Sequence, residues 1–191
     1  DEQDEYTEAK TVQDMAAILD AEGIDKAIIG GLSLGGYMSF AFHCEFPERV
    51  EALLIIDSGP GYKSDKGRDA WNANCEKTAA DFEENGLARL QKLTPEMAMS
   101  KHRSPDGLAR AARGMMAQYG SHVIFPPPEI KVPTLILVGA DDTPFLGASD
   151  YMDAKIANSH KVIIPDAGHA SNLDQPEAFN AALLEYLDSL G

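Results

Sequence analysis

The chain has 191 residues, 44% of them hydrophobic, and a formal net charge of −15. That length suits one domain with a small appendage, and no apolar stretch approaches the roughly 18 residues of a membrane span. The strong negative balance argues against nucleic acid and anionic membrane surfaces as partners.

Two cysteines, Cys44 and Cys75, do not make a disulfide framework, so a reducing, cytoplasmic setting is the simpler expectation. No signal-peptide pattern is visible, and a first residue of Asp1 rather than Met leaves room for residues before it. The acidic stretch Asp1 to Glu5 reads as a loose, solvated tail. Val12, Met15, Ala16 and Leu19 then recur at helical spacing, and Gly23 stops that helix. A first strand is expected over about Lys26 to Gly30, and a buried helix beyond it ends near Phe46, because Pro47 follows. Ala52 to Ile56 is a second apolar run, closed by the turn residues Asp57-Ser58-Gly59-Pro60-Gly61.

From Tyr62 to Phe125 strand patterns are absent. Trp71, Cys75, Thr78 and Phe82 follow a helical period, with Gly86, Pro95, Pro105 and Gly120 as punctuation. This reads as a helical insertion (62–125) within a core made of 1–61 and 126–191. Pro126-Pro127-Pro128 marks the return to that core. Thr134 to Val138 is a third strand and Lys161 to Ile164 a fourth, separated by a helix near Ala148 to Ala157. Asp174, with Glu177 three residues on, is expected to cap a last helix whose apolar stripe is Phe179, Leu183, Tyr186, Leu187 and Leu190. Apolar strands alternating with helices predict an α/β fold, a mostly parallel sheet with helices on both faces.

Gly31-Leu32-Ser33-Leu34-Gly35 lies between the first strand and the buried helix. A serine on so tight a turn calls for small residues two before and two after it, and the turn lifts its hydroxyl above the sheet edge. The plainer alternative is a Gly-rich turn with a capping serine. Active groups in an open parallel sheet collect at the carboxyl ends of its strands. Two further ends carry suitable groups, Gly139-Ala140-Asp141-Asp142 and Pro165-Asp166-Ala167-Gly168-His169. A serine hydroxyl needs a base to take its proton, and an imidazole base needs a carboxylate to orient it.

Gly31-Leu32-Ser33-Leu34-Gly35-Gly36, Val132-Pro133-Thr134 with Gly139-x-x-Asp142, and Ala167-Gly168-His169-Ala170 together resemble the α/β-hydrolase superfamily, particularly small carboxylesterases and enol-lactonase-like members. The resemblance implies Ser33 as nucleophile, Asp142 as orienting acid, His169 as general base and the Leu34 N–H as an oxyanion donor. It also implies that the 62–125 insertion is a helical cap roofing the site. The activity implied is hydrolysis of a small ester or lactone through an acyl-enzyme, with no cofactor. Acyl transfer and perhydrolysis use the same triad. Dehalogenases and epoxide hydrolases of this fold need an aspartate where Ser33 stands.

Asp141 and Asp57 are rival acids, and Asp142 has the alternative of capping the next turn. His43, His102, His122 and His160 lack a strand-end context, and none shows metal-ligand spacing. The Trp71 and Phe82 stripe reads as packing within the insertion rather than as a substrate box.

The family usually carries several strands and a His-Gly-type loop before the elbow, and that loop supplies a second oxyanion donor. Here about thirty residues precede Ser33 and no His-Gly pair occurs. The chain thus matches the C-terminal part of the α/β-hydrolase fold. A fragment of a longer hydrolase, a short hydrolase with a rebuilt donor, and a ligand-binding homologue with little turnover are the alternatives; an inert oligomerisation module is a further one. In each, the open edge of the first strand is expected to be covered by residues outside this sequence or by a symmetric second copy.

Overall fold

The computed structural model describes residues 2–124 and 129–191. In chain order the elements are α1 (Glu8–Ala21), β1 (Ala27–Leu32), α2 (Leu34–Glu45), β2 (Val50–Ile56), α3 (Asp65–Asn85), α4 (Pro95–Ala98) and α5 (Pro105–Gly114). β3 (Thr134–Gly139), α6 (Thr143–Lys155), β4 (Ser159–Ile164), α7 (Ser171–Asp174) and α8 (Pro176–Ser189) follow. Two compact units result. One comprises the chain up to Asp14 with Tyr62–Ser121, the other Met15–Gly61 with His122–Gly191. The expected return at Pro126-Pro127-Pro128, and the boundary at Phe125, lie outside the described residues.

The sheet unit has four parallel strands in the order β1-β2-β3-β4. Every residue of β3 is buried, as its unbroken apolar run predicts for a strand covered on both faces. Leu135 and Leu137 pack with Ile164, Phe179 and Tyr186, so α8 covers the face that these alternate β3 side chains share. Right-handed crossovers place α2 and α6 together on the opposite face. β1 has one sheet neighbour, β2, among the described residues, and Ile28 on it is 37% exposed. No helix among the described residues is long and apolar enough to cross a membrane.

The other unit is helical among its described residues. Phe82 and Ala79 of α3 pack on Ala109 and Ala112 of α5 and on Leu90. Trp71 Nε1 donates to the Met116 carbonyl at 2.7 Å, and Tyr62 lies tilted against its ring. The aromatic stripe is therefore internal packing. Cys75 is buried on the same helix, and burial pushes its thiol up to about 11.

Three expectations need correction. The acidic N-terminal stretch forms a 3-10 turn at Gln3–Glu5, and Gln3 Nε2 donates to the Arg110 carbonyl at 3.0 Å. That side-chain anchor places it with the insertion rather than with residues 15–61. Helix α6 begins at Thr143, five residues before the expected start, because Pro144 in its first turn brings a φ already suited to a helix. Asp174 does not cap α8, which opens at Pro176 behind Gln175; its carboxylate instead accepts from the Gly168 N–H at 2.8 Å.

The strand-to-helix elbow is built by close approach. A Cβ on Gly31 would lie 2.7 Å from the Gly35 Cα and carbonyl carbon, and one on Gly36 would lie 2.6 Å from the Ser58 Cβ. A Cβ on Gly35 would meet nothing within 4 Å. The second position requiring a small residue is thus 36, one beyond the symmetric spacing that the motif suggests. Gly31→Ala is expected to cost about 2–4 kcal/mol of stability, while Gly35→Ala stays within about 0.5 kcal/mol of the parent. Urea unfolding followed by circular dichroism checks the contrast, and equal losses would contradict it.

His43 on α2 is buried, and its Nδ1 finds no hydrogen-bond partner among the described residues. Burial lowers its pKa below the ordinary imidazole value of 6.5. The neutral ring is therefore the folded form. Its contribution is complete above that ordinary value and is lost as pH falls through the lowered one. The urea midpoint should fall between pH 7.5 and 5.5, and the fall should shrink in His43→Leu. An unchanged fall in that variant would assign the dependence to other groups.

Candidate functional site

Ser33 is placed by the end of β1 and the start of α2. Its backbone has φ 55° and ψ −116°, a conformation that a non-glycine residue adopts only when the surroundings over-determine it. Those surroundings are specific. The Ser33 N–H donates to the Ile56 carbonyl at 2.9 Å, which ties the elbow to β2. The Ser33 carbonyl accepts from the Gly36 and Tyr37 N–H groups at 3.0 and 3.2 Å, starting the helix. The side chain makes no capping bond. This disposes of the plainer reading, because the hydroxyl points away from the helix it precedes.

The Ser33 Oγ lies 2.9 Å from His169 Nε2, and His169 Nδ1 lies 2.9 Å from Asp142 Oδ2. An ionised carboxylate only accepts, so Nδ1 carries the proton and Nε2 is left to accept from the serine hydroxyl. Three residues from three strand ends thus form one continuous hydrogen-bonded chain. The Asp142 side chain is 4% exposed and the imidazole 37%. Such burial of the acceptor strengthens its hold on the ring compared with a solvated pair. The Phe145 ring, in the first turn of α6, stacks on the imidazole with centroids 5.0 Å apart. It packs against a face of the ring, whereas the carboxylate bonds the ring's edge at Nδ1.

Each rival now has a position. Asp142 precedes α6 but makes no side-chain capping bond, so its carboxylate serves the imidazole alone among these two roles. Asp141 is exposed, and its N–H donates to the Ala167 carbonyl at 2.8 Å. Asp57 is fully buried at the end of β2. Its Oδ1 accepts from the Gly139 N–H at 2.8 Å, and its Oδ2 accepts from the Ser171 Oγ–H at 2.5 Å and N–H at 3.3 Å. Burial pushes the Asp57 carboxyl above the ordinary carboxylate value; the hydrogen bonds from Ser171 and Gly139 oppose this, and the Asp142 charge adds to it.

The Leu34 N–H is the first of α2, one of the helix-end donors that have no partner within the helix. Positive potential at this end favours a developing negative charge there. Among the described residues no group of three or more His, Cys, Asp or Glu side chains gathers as metal ligands. Sequence reasoning missed three contributors, Ser58 (read as part of a closing turn), Asp174 (read as a cap) and Phe145, and weighed Asp57 only as a rival acid. The available signal for Ser58 was its place at a strand's carboxyl end.

Known proteins place the chain in a family. A model of the alpha/beta hydrolase fold family matches residues 1–176. The pimeloyl-[acyl-carrier protein] methyl ester esterase of Pectobacterium carotovorum is 29% identical over 196 residues, covering 93% of this chain and 76% of that protein. The 3-oxoadipate enol-lactonase 1 of Acinetobacter baylyi is 29% identical over 187 residues, with coverages of 87% and 66%. Among solved structures, a thermophilic esterase from Thermogutta terrifontis superposes with a TM-score of 0.81 at 29% identity, covering 96% of this chain and 73% of that one. This chain is a member of the α/β-hydrolase family, with relatives of the esterase and lactonase type.

Proposed function

We propose that this chain hydrolyses small carboxylic esters or lactones through an acyl-enzyme, with Ser33 as nucleophile, His169 as general base and Asp142 as the acid that orients it. The observation carrying this reading is the unbroken path from Asp142 Oδ2 through His169 to Ser33 Oγ, with both contacts at 2.9 Å. The esterase and enol-lactonase names of two relatives support the substrate class.

In the first half-reaction Ser33 Oγ attacks the carbonyl carbon while its proton passes to His169 Nε2. The carbonyl oxygen gains charge, and in this reading the Leu34 N–H at the positive end of α2 donates to it. The tetrahedral adduct collapses, and the imidazolium returns its proton to the leaving alkoxide. Water then gives a proton to the same nitrogen and attacks the acyl carbon. Collapse of the second adduct frees the acid and restores the Ser33 hydroxyl. Asp142 stays ionised throughout and balances the imidazolium at each adduct.

A fluorophosphonate probe should label the native protein stoichiometrically at Ser33, located by peptide mass mapping, and His169→Ala should abolish labelling. A folded parent protein that stays unlabelled would replace this reading with that of a ligand-binding homologue. With p-nitrophenyl acetate as substrate, Asp142→Asn should lower kcat on the order of 10³- to 10⁴-fold, whereas Asp141→Asn should leave it within about twofold. A larger loss from the Asp141 change would reassign the acid.

A further inference from the structure

The residues that follow β2 do more than close a strand. Asp57 has no exposed surface and Ser58 is 2% exposed. Asp57 also sits at φ 45°, in the left-handed region, with its N–H donating to the Leu137 carbonyl at 2.8 Å. Through its two oxygens it grips Gly139, three residues before Asp142, and Ser171, two residues after His169. Ser58 completes the set, its Oγ–H donating to the Ser33 carbonyl at 2.5 Å. Two adjacent residues therefore hold the turns of all three reacting or orienting side chains.

We propose that Asp57 and Ser58 form a positioning clamp that sets the mutual geometry of Ser33, His169 and Asp142 for the reaction proposed above, on which this inference rests. Neither residue touches the reacting atoms. Both Asp57 oxygens are engaged by Gly139 and Ser171, while the imidazole Nδ1 is engaged by Asp142. Asp57 fixes the chain after His169 and Asp174 fixes Gly168 before it, so the histidine is pinned from both sides. The ties matter because serine, imidazole and carboxylate arrive from separate strands. A displacement of about 1 Å at such a site costs on the order of 100-fold in rate.

Asp57→Asn keeps the shape but leaves one accepting oxygen, so an amide NH₂ must face either the Gly139 or the Ser171 N–H. Ser171→Ala and Ser58→Ala each remove a single hydroxyl bond with no change of charge. With p-nitrophenyl acetate, Asp57→Asn should lower kcat about 30- to 100-fold with KM within about threefold, and each alanine variant about 3- to 10-fold. The Asp57→Asn/Ser171→Ala double variant should lose less than the product of the two single losses, because both act on one tie. The ¹H–¹³C cross-peaks of the His169 ring should shift in Asp57→Asn and Ser171→Ala while the dispersed amide spectrum persists. Folded variants with parental kcat and unmoved His169 peaks would overturn the clamp. Should Asp57→Asn fail to fold, the two alanine variants decide by the same criteria. Should the parent protein show neither turnover nor labelling at Ser33, the functional reading falls; the ring peaks still report whether the clamp holds the histidine, and unmoved peaks would refute it.

Discussion

Parallel pairing imposes the constraint on which the site depends. Strands that all run one way bring all their carboxyl ends to one rim, however far apart they lie in the chain. Ser33 follows β1, Asp57 follows β2, Asp142 follows β3 and His169 follows β4. Each strand thus contributes polar side chains to the rim, and the register that pairs Leu32 with Ile56 and Leu137 with Val162 levels those ends. The unbroken apolar burial of β3 matters for the same reason: a strand locked by packing on both faces gives a fixed base to the turn that carries Asp142.

The rim is also where backbone strain gathers. Ser33, Asp57 and Asp166 are the non-glycine residues with positive φ among those described, and each lies within two residues of a strand's end. Such conformations cost on the order of 1–3 kcal/mol each. They persist because the surroundings supply partners that a relaxed turn would lose: Ile56 and Leu137 on neighbouring strands for the Ser33 and Asp57 N–H groups, and Gln175 Nε2, just before α8, for the Asp166 carbonyl. Stability is stored in the sheet and drawn on at its edge, which keeps the hydroxyl of Ser33 clear of the helix that a capping serine would serve.

Ser33, Asp142 and His169 were legible in the chain because each sits next to a long apolar run and its local signature is short. Strand positions followed for the same reason, since β-branched and leucine-rich runs leave little choice. The supporting groups were not legible. Asp57 binds partners 82 and 114 residues away, and no local pattern encodes such a pairing. Asp174 misled because Asp-x-x-Glu resembles a capping box, yet Pro176 sets the start of α8 and frees that carboxylate for Gly168. The small-residue requirement at 36 rather than 35 was hidden too, because it arises from Ser58, on another strand's turn.

Two buried carboxylates near one another raise the question of why the arrangement does not neutralise the one that the proposed reaction needs. The answer lies in what each faces. Asp142 faces an imidazole that becomes cationic in the proposed reaction, and a negative charge there is repaid whenever the proton arrives. Asp57 faces only neutral N–H and O–H groups, and the nearby Asp142 charge adds to its burial in favouring its protonated form. Pressure to shed charge thus falls on the carboxyl to which the proposed clamp gives a mechanical task. A protonated Asp57 would still accept from Gly139 and Ser171 through its lone pairs, so the tie survives the loss of charge. In the proposed reaction and clamp, Asp142 holds the imidazole while Asp57 holds the turns around it.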